Sequence, residues 1–192
     1  MKKLALFAAI LALASAGASA GGFGLYGSYW DIEDADDAGV GGGLKLQADL
    51  SEDGVVGFEF RLSGSTGYGG DGVFKDAYTA PIEANLTLGM PLGDKGKIYI
   101  GAGGGYYVMP EFESKVVMGS SLEPDIDPDD SFGYFAVAGI ELMFSETFGI
   151  FVEAKYTMVE VDKVKIDDVE QDMGDDNEFK GFGANAGLLF KF

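Results

Sequence analysis

The chain has 192 residues, with 32 Asp and Glu against 13 Lys and Arg, a net charge of −19, and neither histidine nor cysteine. That acidity excludes a nucleic-acid partner held through phosphate contacts. The missing residue types exclude a disulfide framework, a thiol nucleophile, a histidine-activated serine or threonine, and a histidine-ligated metal centre.

The N-terminus reads as a secretory signal: Lys2 and Lys3 precede an uncharged apolar run at 4–14, followed by Ala18-Ser19-Ala20. The run is too short to cross a bilayer as a helix and has no charged stop-transfer flank, so cleavage after Ala20 is expected. No cysteine follows it, which leaves no lipid anchor. The expected mature domain is 21–192, and loss of the two lysines takes the net charge from −19 to −21. No later segment approaches eighteen uninterrupted apolar residues, so any membrane crossing must use strands.

A first strand is expected at 23–30, with aromatic residues on both faces, so its parity stays ambiguous. From residue 40 onward apolar and polar residues alternate with a period of two. Residues 44–50 place Leu44, Leu46 and Leu50 on one face and Lys45, Gln47 and Asp49 on the other. Residues 56–62 set Phe58, Phe60 and Leu62 against Glu59 and Arg61; residues 82–90 set Ile82, Leu86 and Leu88 against Glu83, Asn85 and Thr87. Residues 98–108, 132–144, 149–158 and 181–192 repeat the pattern, with glycines or Glu141, Glu153, Lys155, Asn185 and Lys191 on the second face. This makes eight strands.

The connections at 51–54, 91–97 and 145–148 are short, whereas those at 31–39, 64–78, 110–131 and 160–179 are mostly longer and are expected to be loops. An even strand number, strands of about ten residues, and short turns at one end with long loops at the other are features of bacterial outer-membrane barrels. The predicted fold is therefore all-β: an eight-stranded antiparallel up-and-down transmembrane barrel. Alternation alone would also fit a secreted lipocalin-like barrel with its apolar face inward. The aromatic residues near strand ends, Phe58, Tyr106, Phe144, Tyr156 and Phe192, favour lipid on the apolar side, as interfacial girdles.

The C-terminal residues Asn185, Gly187, Phe190 and Phe192 have the spacing of the terminal signal read by the barrel assembly machinery. With the leader and strand count, the chain resembles the OmpA-like small outer-membrane β-barrel family, that is, the outer membrane protein beta-barrel domain. The resemblance implies an integral outer-membrane protein, inserted by that machinery into lipid and lipopolysaccharide with both termini periplasmic.

With odd positions inward on the later strands, the lumen receives Asp49, Glu59, Glu83, Glu141 and Glu153 together with Lys45, Arg61, Lys155 and Lys191. An unpaired charge is costly at low dielectric, so these five acids and four bases are expected to pair across a plugged lumen. The alternative is a narrow porin-like path or an OmpW-like route for small solutes.

The four long connections hold 23 of the 32 acidic residues. Asp125, Asp127, Asp129 and Asp130 offer closely spaced carboxylates for a divalent cation, without the glycine and terminal glutamate of an EF-hand. A solvated acidic surface accounts for the same residues, and divalent ions bridging loop carboxylates to lipopolysaccharide phosphates stand between these readings. No catalytic residue or cofactor site is expected. Carboxylates such as Glu59 and Glu83 lack a supporting motif, and the glycine runs at 41–43 and 103–105 lie within strands and precede no helix. The expected role is non-enzymatic, structural or in surface interaction; a soluble periplasmic binding barrel is a third reading.

Replacing Phe192 by serine is expected to lower the amount of barrel recovered from the outer-membrane fraction, scored by heat-modifiable migration on a gel. Wild-type recovery would count against the terminal-signal reading.

Overall fold

Short turns organise one end of the molecule. After Leu50 the chain reverses through Ser51, Glu52, Asp53 and Gly54: Ser51 Oγ accepts from Val56 N at 2.9 Å, Asp53 Oδ1 accepts from Val55 N at 3.1 Å, and Gly54 takes φ 67°. Residues with a short oxygen-bearing side chain, followed by a glycine, are suited to this reversal. A hydrogen bond from the Ser51 hydroxyl, and after it the one from Val55 N–H, holds the Asp53 carboxyl below its usual range. Gly93, at φ 63°, serves the second turn, and Ser145 Oγ accepts from Phe148 N at 3.1 Å in the third.

The computed structural model describes residues 20–33, 37–67, 78–93, 95–108, 112–113, 125–128, 131–160, 163–166, 169–172 and 178–192. Eight strands close into one antiparallel barrel: β1 (Ala20–Ile32), β2 (Gly39–Asp49), β3 (Val56–Thr66), β4 (Tyr78–Leu92), β5 (Gly96–Val108), β8 (Ser131–Met143), β9 (Phe148–Glu160) and β12 (Glu178–Lys191). Their order round the barrel is β1-β12-β9-β8-β5-β4-β3-β2. The expected eight-stranded up-and-down fold is the observed one.

Two of the expected loops are more ordered than alternation indicated. Residues 110–131 contain β6 (Phe112–Glu113) and β7 (Asp125–Pro128), and residues 160–179 contain β10 (Lys163–Ile166) and β11 (Val169–Asp172). These four form a separate sheet in the order β11-β10-β7-β6. Each is too short for a period of two to stand out against its acidic surroundings. The barrel strands also run to 11–15 residues rather than about ten.

The register fixes the stagger. One hydrogen-bonded row passes from Tyr29 through Val40 and Thr66 to Tyr78 on β4. Followed the other way, through Ala184, Ala154, Ala138 and Ile100, it reaches β4 at Leu88, ten residues further on. That offset tilts the strands by about 40° and leaves a lumen that side chains can fill. The β3–β4 ladder is interrupted between Leu62↔Ile82 and Ser65↔Thr79, beside Pro81, which has no N–H to donate.

The apolar face points outward. Leu86, Leu88, Met90, Ile100 and Phe132 are all more than half exposed, while Lys45, Arg61 and Glu83 are wholly buried. This inverts the lipocalin-like arrangement. On β1 the ambiguity resolves with even positions inward: Tyr26, Trp30 and Ile32 are buried, whereas Phe23, Leu25 and Tyr29 face out. Outward aromatics separate by height. Tyr29, Tyr106, Tyr134, Tyr156 and Phe182 lie toward the loop end, and Phe23, Phe144, Phe148 and Phe190 toward the turn end. Phe190 stacks on Phe23 at 4.9 Å and meets Phe148 at 5.4 Å. On β12 the ten residue steps from Phe182 to Phe192 rise by about 25 Å at a tilt of about 40°, the height of an outer-membrane apolar band.

Leu86 sits in the middle of the outward run of β4. Leu86→Arg is expected to lower folded stability in lipid vesicles by about 2–4 kcal/mol, read from urea unfolding followed through Trp30, the single tryptophan. Unchanged stability would mean that this face does not meet hydrocarbon.

Candidate functional site

The lumen is the chemically distinctive region, and cross-strand pairing assembles it. Arg61 on β3 lies directly across from Lys45 on β2 and from Glu83 on β4. Glu153 reaches in from β9. Arg61 engages it as a fork, Nη1 to Oε2 at 2.8 Å and Nη2 to Oε1 at 2.9 Å, and also donates from Nη2 to Glu59. Two parallel N–H···O bonds suit a planar guanidinium facing a carboxylate. Lys45 Nζ donates to Glu153 Oε1 at 2.9 Å, to Tyr99 OH at 3.2 Å and to Glu59 Oε1 at 3.3 Å, and lies 3.8 Å from the Phe151 ring centroid. Tyr99 OH donates to Glu153, while Asn85 and Asn185 each donate from Nδ2, to Glu59 and Glu153 respectively, at 3.2 Å.

Two further groups flank this centre. Toward the loop end, Lys155 Nζ binds Glu83 Oε1 at 2.7 Å and Tyr107 OH donates to the same oxygen at 2.5 Å. Trp30 packs beside Tyr107, with ring centroids 6.3 Å apart. Toward the turn end, Lys191 pairs with Glu141 at 2.9 Å and Lys97 with Asp49 at 3.6 Å. A cavity of about 10 Å³ there, lined by Gln47, Asp49, Thr87, Lys97, Tyr99 and Glu141, has space for about one water molecule.

All nine charged residues assigned to the lumen from alternation therefore face inward, in three groups. Lys97 makes the fifth base against five acids. Sequence reasoning missed it by assigning 91–97 to a turn, although Lys97 holds the inward parity of Tyr99. Glu59 and Glu83, considered above as candidate acid–base groups, are each committed to their own cations.

Glycines make room for the large inward side chains. A Cβ on Gly187 would lie 2.1 Å from the Leu25 carbonyl oxygen and 2.7 Å from Tyr26 Cβ, and one on Gly43 would lie 2.8 Å from the Tyr26 ring. Tyr26 thus occupies space vacated by glycines on both neighbouring strands. Gly139 does the same for Tyr99, and Gly133 for Tyr107. In the terminal motif Asn185 faces the ion cluster, Gly187 admits Tyr26, Phe190 stacks outward, and Phe192, 81 % exposed, bonds through its N–H to Gly21 O at 3.0 Å.

Of the cation candidates, Asp125 and Asp127 lie two apart on β7, in register with Glu113 and Lys165, while Asp129 and Asp130 fall outside the described residues. Among the described residues no group of three or more acidic side chains converges on a metal site.

This closed barrel, ionic inside and apolar outside, is matched by a family described as outer membrane protein beta-barrel domain, over residues 4–192. The chain belongs to that family. Among solved structures it is similar to Neisserial surface protein A (TM-score 0.61, 13 % identity, covering 90 % of this chain and 97 % of that one). It is also similar to the outer membrane protein OprG from Pseudomonas aeruginosa (0.58, 17 %, 92 % and 98 %). A third is the attachment invasion locus protein Ail of Yersinia pestis (0.50, 14 %, 92 % and 99 %). At these identities the likeness shows the fold alone. No curated protein matches the sequence.

Removing one partner of a buried ion pair strands the other charge. Glu153→Leu, which orphans contacts of Lys45 and Arg61, is expected to cost about 3–5 kcal/mol. Asp49→Asn, at a partly exposed pair, is expected to cost about 1 kcal/mol or less. Equal effects in vesicle unfolding would contradict a dry central cluster.

Proposed function

We propose that this protein is a sealed outer-membrane barrel that works as a rigid platform, holding strongly acidic loops at the cell surface for interaction rather than passing solutes or catalysing a reaction. The carrying observation is the Arg61–Glu153 fork, closed on both sides by Lys45 and Glu59, in which every member is at most 3 % exposed. A solute crossing the lumen must part these charges in a medium that screens them poorly.

In this reading the leader is removed after Ala20, the assembly machinery inserts the barrel through its terminal strand, and the long connections face outward. Those connections carry 23 acids and four lysines. Such a surface favours cationic ligands, including divalent ions that bridge it to lipopolysaccharide phosphates. Ail has been crystallised with the heparin analogue sucrose octasulfate; the acidic surface here would repel a polyanion of that kind.

Planar bilayers containing the purified protein test the seal. No discrete conductance is expected, and reproducible single-channel steps would overturn the platform reading in favour of a narrow channel.

A further inference from the structure

The small sheet outside the barrel has two ends. β6 is two residues long, whereas β11 (Val169–Asp172) has β10 on one side and, among the described residues, no strand on the other. A strand with one ladder satisfied presents N–H and C=O groups that can take up another strand.

The charge order of the sheet indicates which kind of strand fits. β10 reads Lys163-Val164-Lys165-Ile166, and β11 reads Val169-Glu170-Gln171-Asp172. In register, Lys165 stands between Asp127 on β7 and Glu170 on β11, and Lys163 stands opposite Asp172. Phe112, Ile126, Ile166 and Val169 form one apolar row across all four strands. Two acidic strands therefore flank a basic one whose residues alternate between basic and apolar, and the one like-charged pairing of the sheet, Glu113 opposite Asp125, falls in its shortest ladder, two residues long. Opposite charges directly across a ladder stabilise pairing and like charges oppose it, so the next strand in this order is again basic and alternating. A second copy of β11 would bring acid against acid, within loops that already repel one another.

We propose that the open side of β11 takes up, as an added β-strand, an extended polypeptide segment rich in lysine or arginine that alternates with apolar residues. The proposal rests on the surface-platform reading and names its class of partner.

The test uses the full chain in lipid nanodiscs and a short peptide alternating lysine and valine as the probe. Binding is expected together with slowed amide exchange at residues 169–172, and a Glu–Val peptide is expected not to bind. E170K/D172K should weaken binding about tenfold or more, whereas E52K/D53K, which places the same charge change at a short turn, should leave it intact. Equal binding by a peptide methylated on alternate backbone nitrogens, without protection of 169–172, would reduce the effect to charge attraction and overturn strand addition. Failure of the Lys–Val peptide to bind would overturn it too, while leaving the bilayer record that tests the platform unaffected. Protection of 169–172 that rises with protein concentration in the absence of peptide would replace this partner with a second copy of the chain.

Discussion

In hydrocarbon every backbone N–H and C=O must find its partner within the protein, since no water is there to supply one. A sheet meets this condition only by closing on itself, and the rest of this structure follows from that closure. Eight strands with a ten-residue stagger return β12 to β1 through an unbroken run of paired residues from Gly22↔Lys191 to Ile32↔Gly181. The β3–β4 interruption beside Pro81 stands out because each neighbouring ladder is continuous there. Closure at this size also dictates a narrow interior. The bulky inward residues Tyr26, Tyr99 and Tyr107 lie over glycines of adjacent strands because a Cβ at those glycines would occupy the same space. The glycine content is thus a packing requirement at named positions, and Gly187 at the β1–β12 seam has this role whatever else the terminal motif does.

Charge distribution follows from the same geometry. Period-two alternation with lipid outside sends the polar half of each strand into a space too small for bulk water. Ionised groups there must bring counter-charges with them, and five acids meet five bases in three local groups. Such pairs do not by themselves make a protein more stable than an apolar core would, because desolvation offsets most of the attraction. In the sealed barrel proposed above their role is to exclude, since the groups of the central cluster cannot separate cheaply. The long connections have the opposite composition, with acids far in excess of bases.

The structural neighbours illustrate how little of this is residue-specific. Barrels at 13–17 % identity superpose over about nine-tenths of the chain, because closure demands only an apolar outside, a compact inside and turns at one end. Function has to be argued from what differs, namely the packing of the lumen and the chemistry of the loops.

The sequence by itself determined the all-β class, the eight barrel strands, the three short turns and the inward parity of nine charged residues, because a two-residue period shows wherever one face meets lipid. Tertiary structure decided the parity of β1, where Tyr26 and Trp30 turn inward while Phe23 and Tyr29 turn outward. Aromatic residues suit both a girdle and a lumen, so only pairing with β2 and β12 separates them. It also decided that Lys97 belongs to the lumen, that Arg61 meets Glu153 from a strand far away in sequence, and that 112–113, 125–128, 163–166 and 169–172 form a sheet. Each of these depends on which segments become neighbours when the barrel closes, and a linear pattern of apolar and polar residues records a strand's faces without recording its partners.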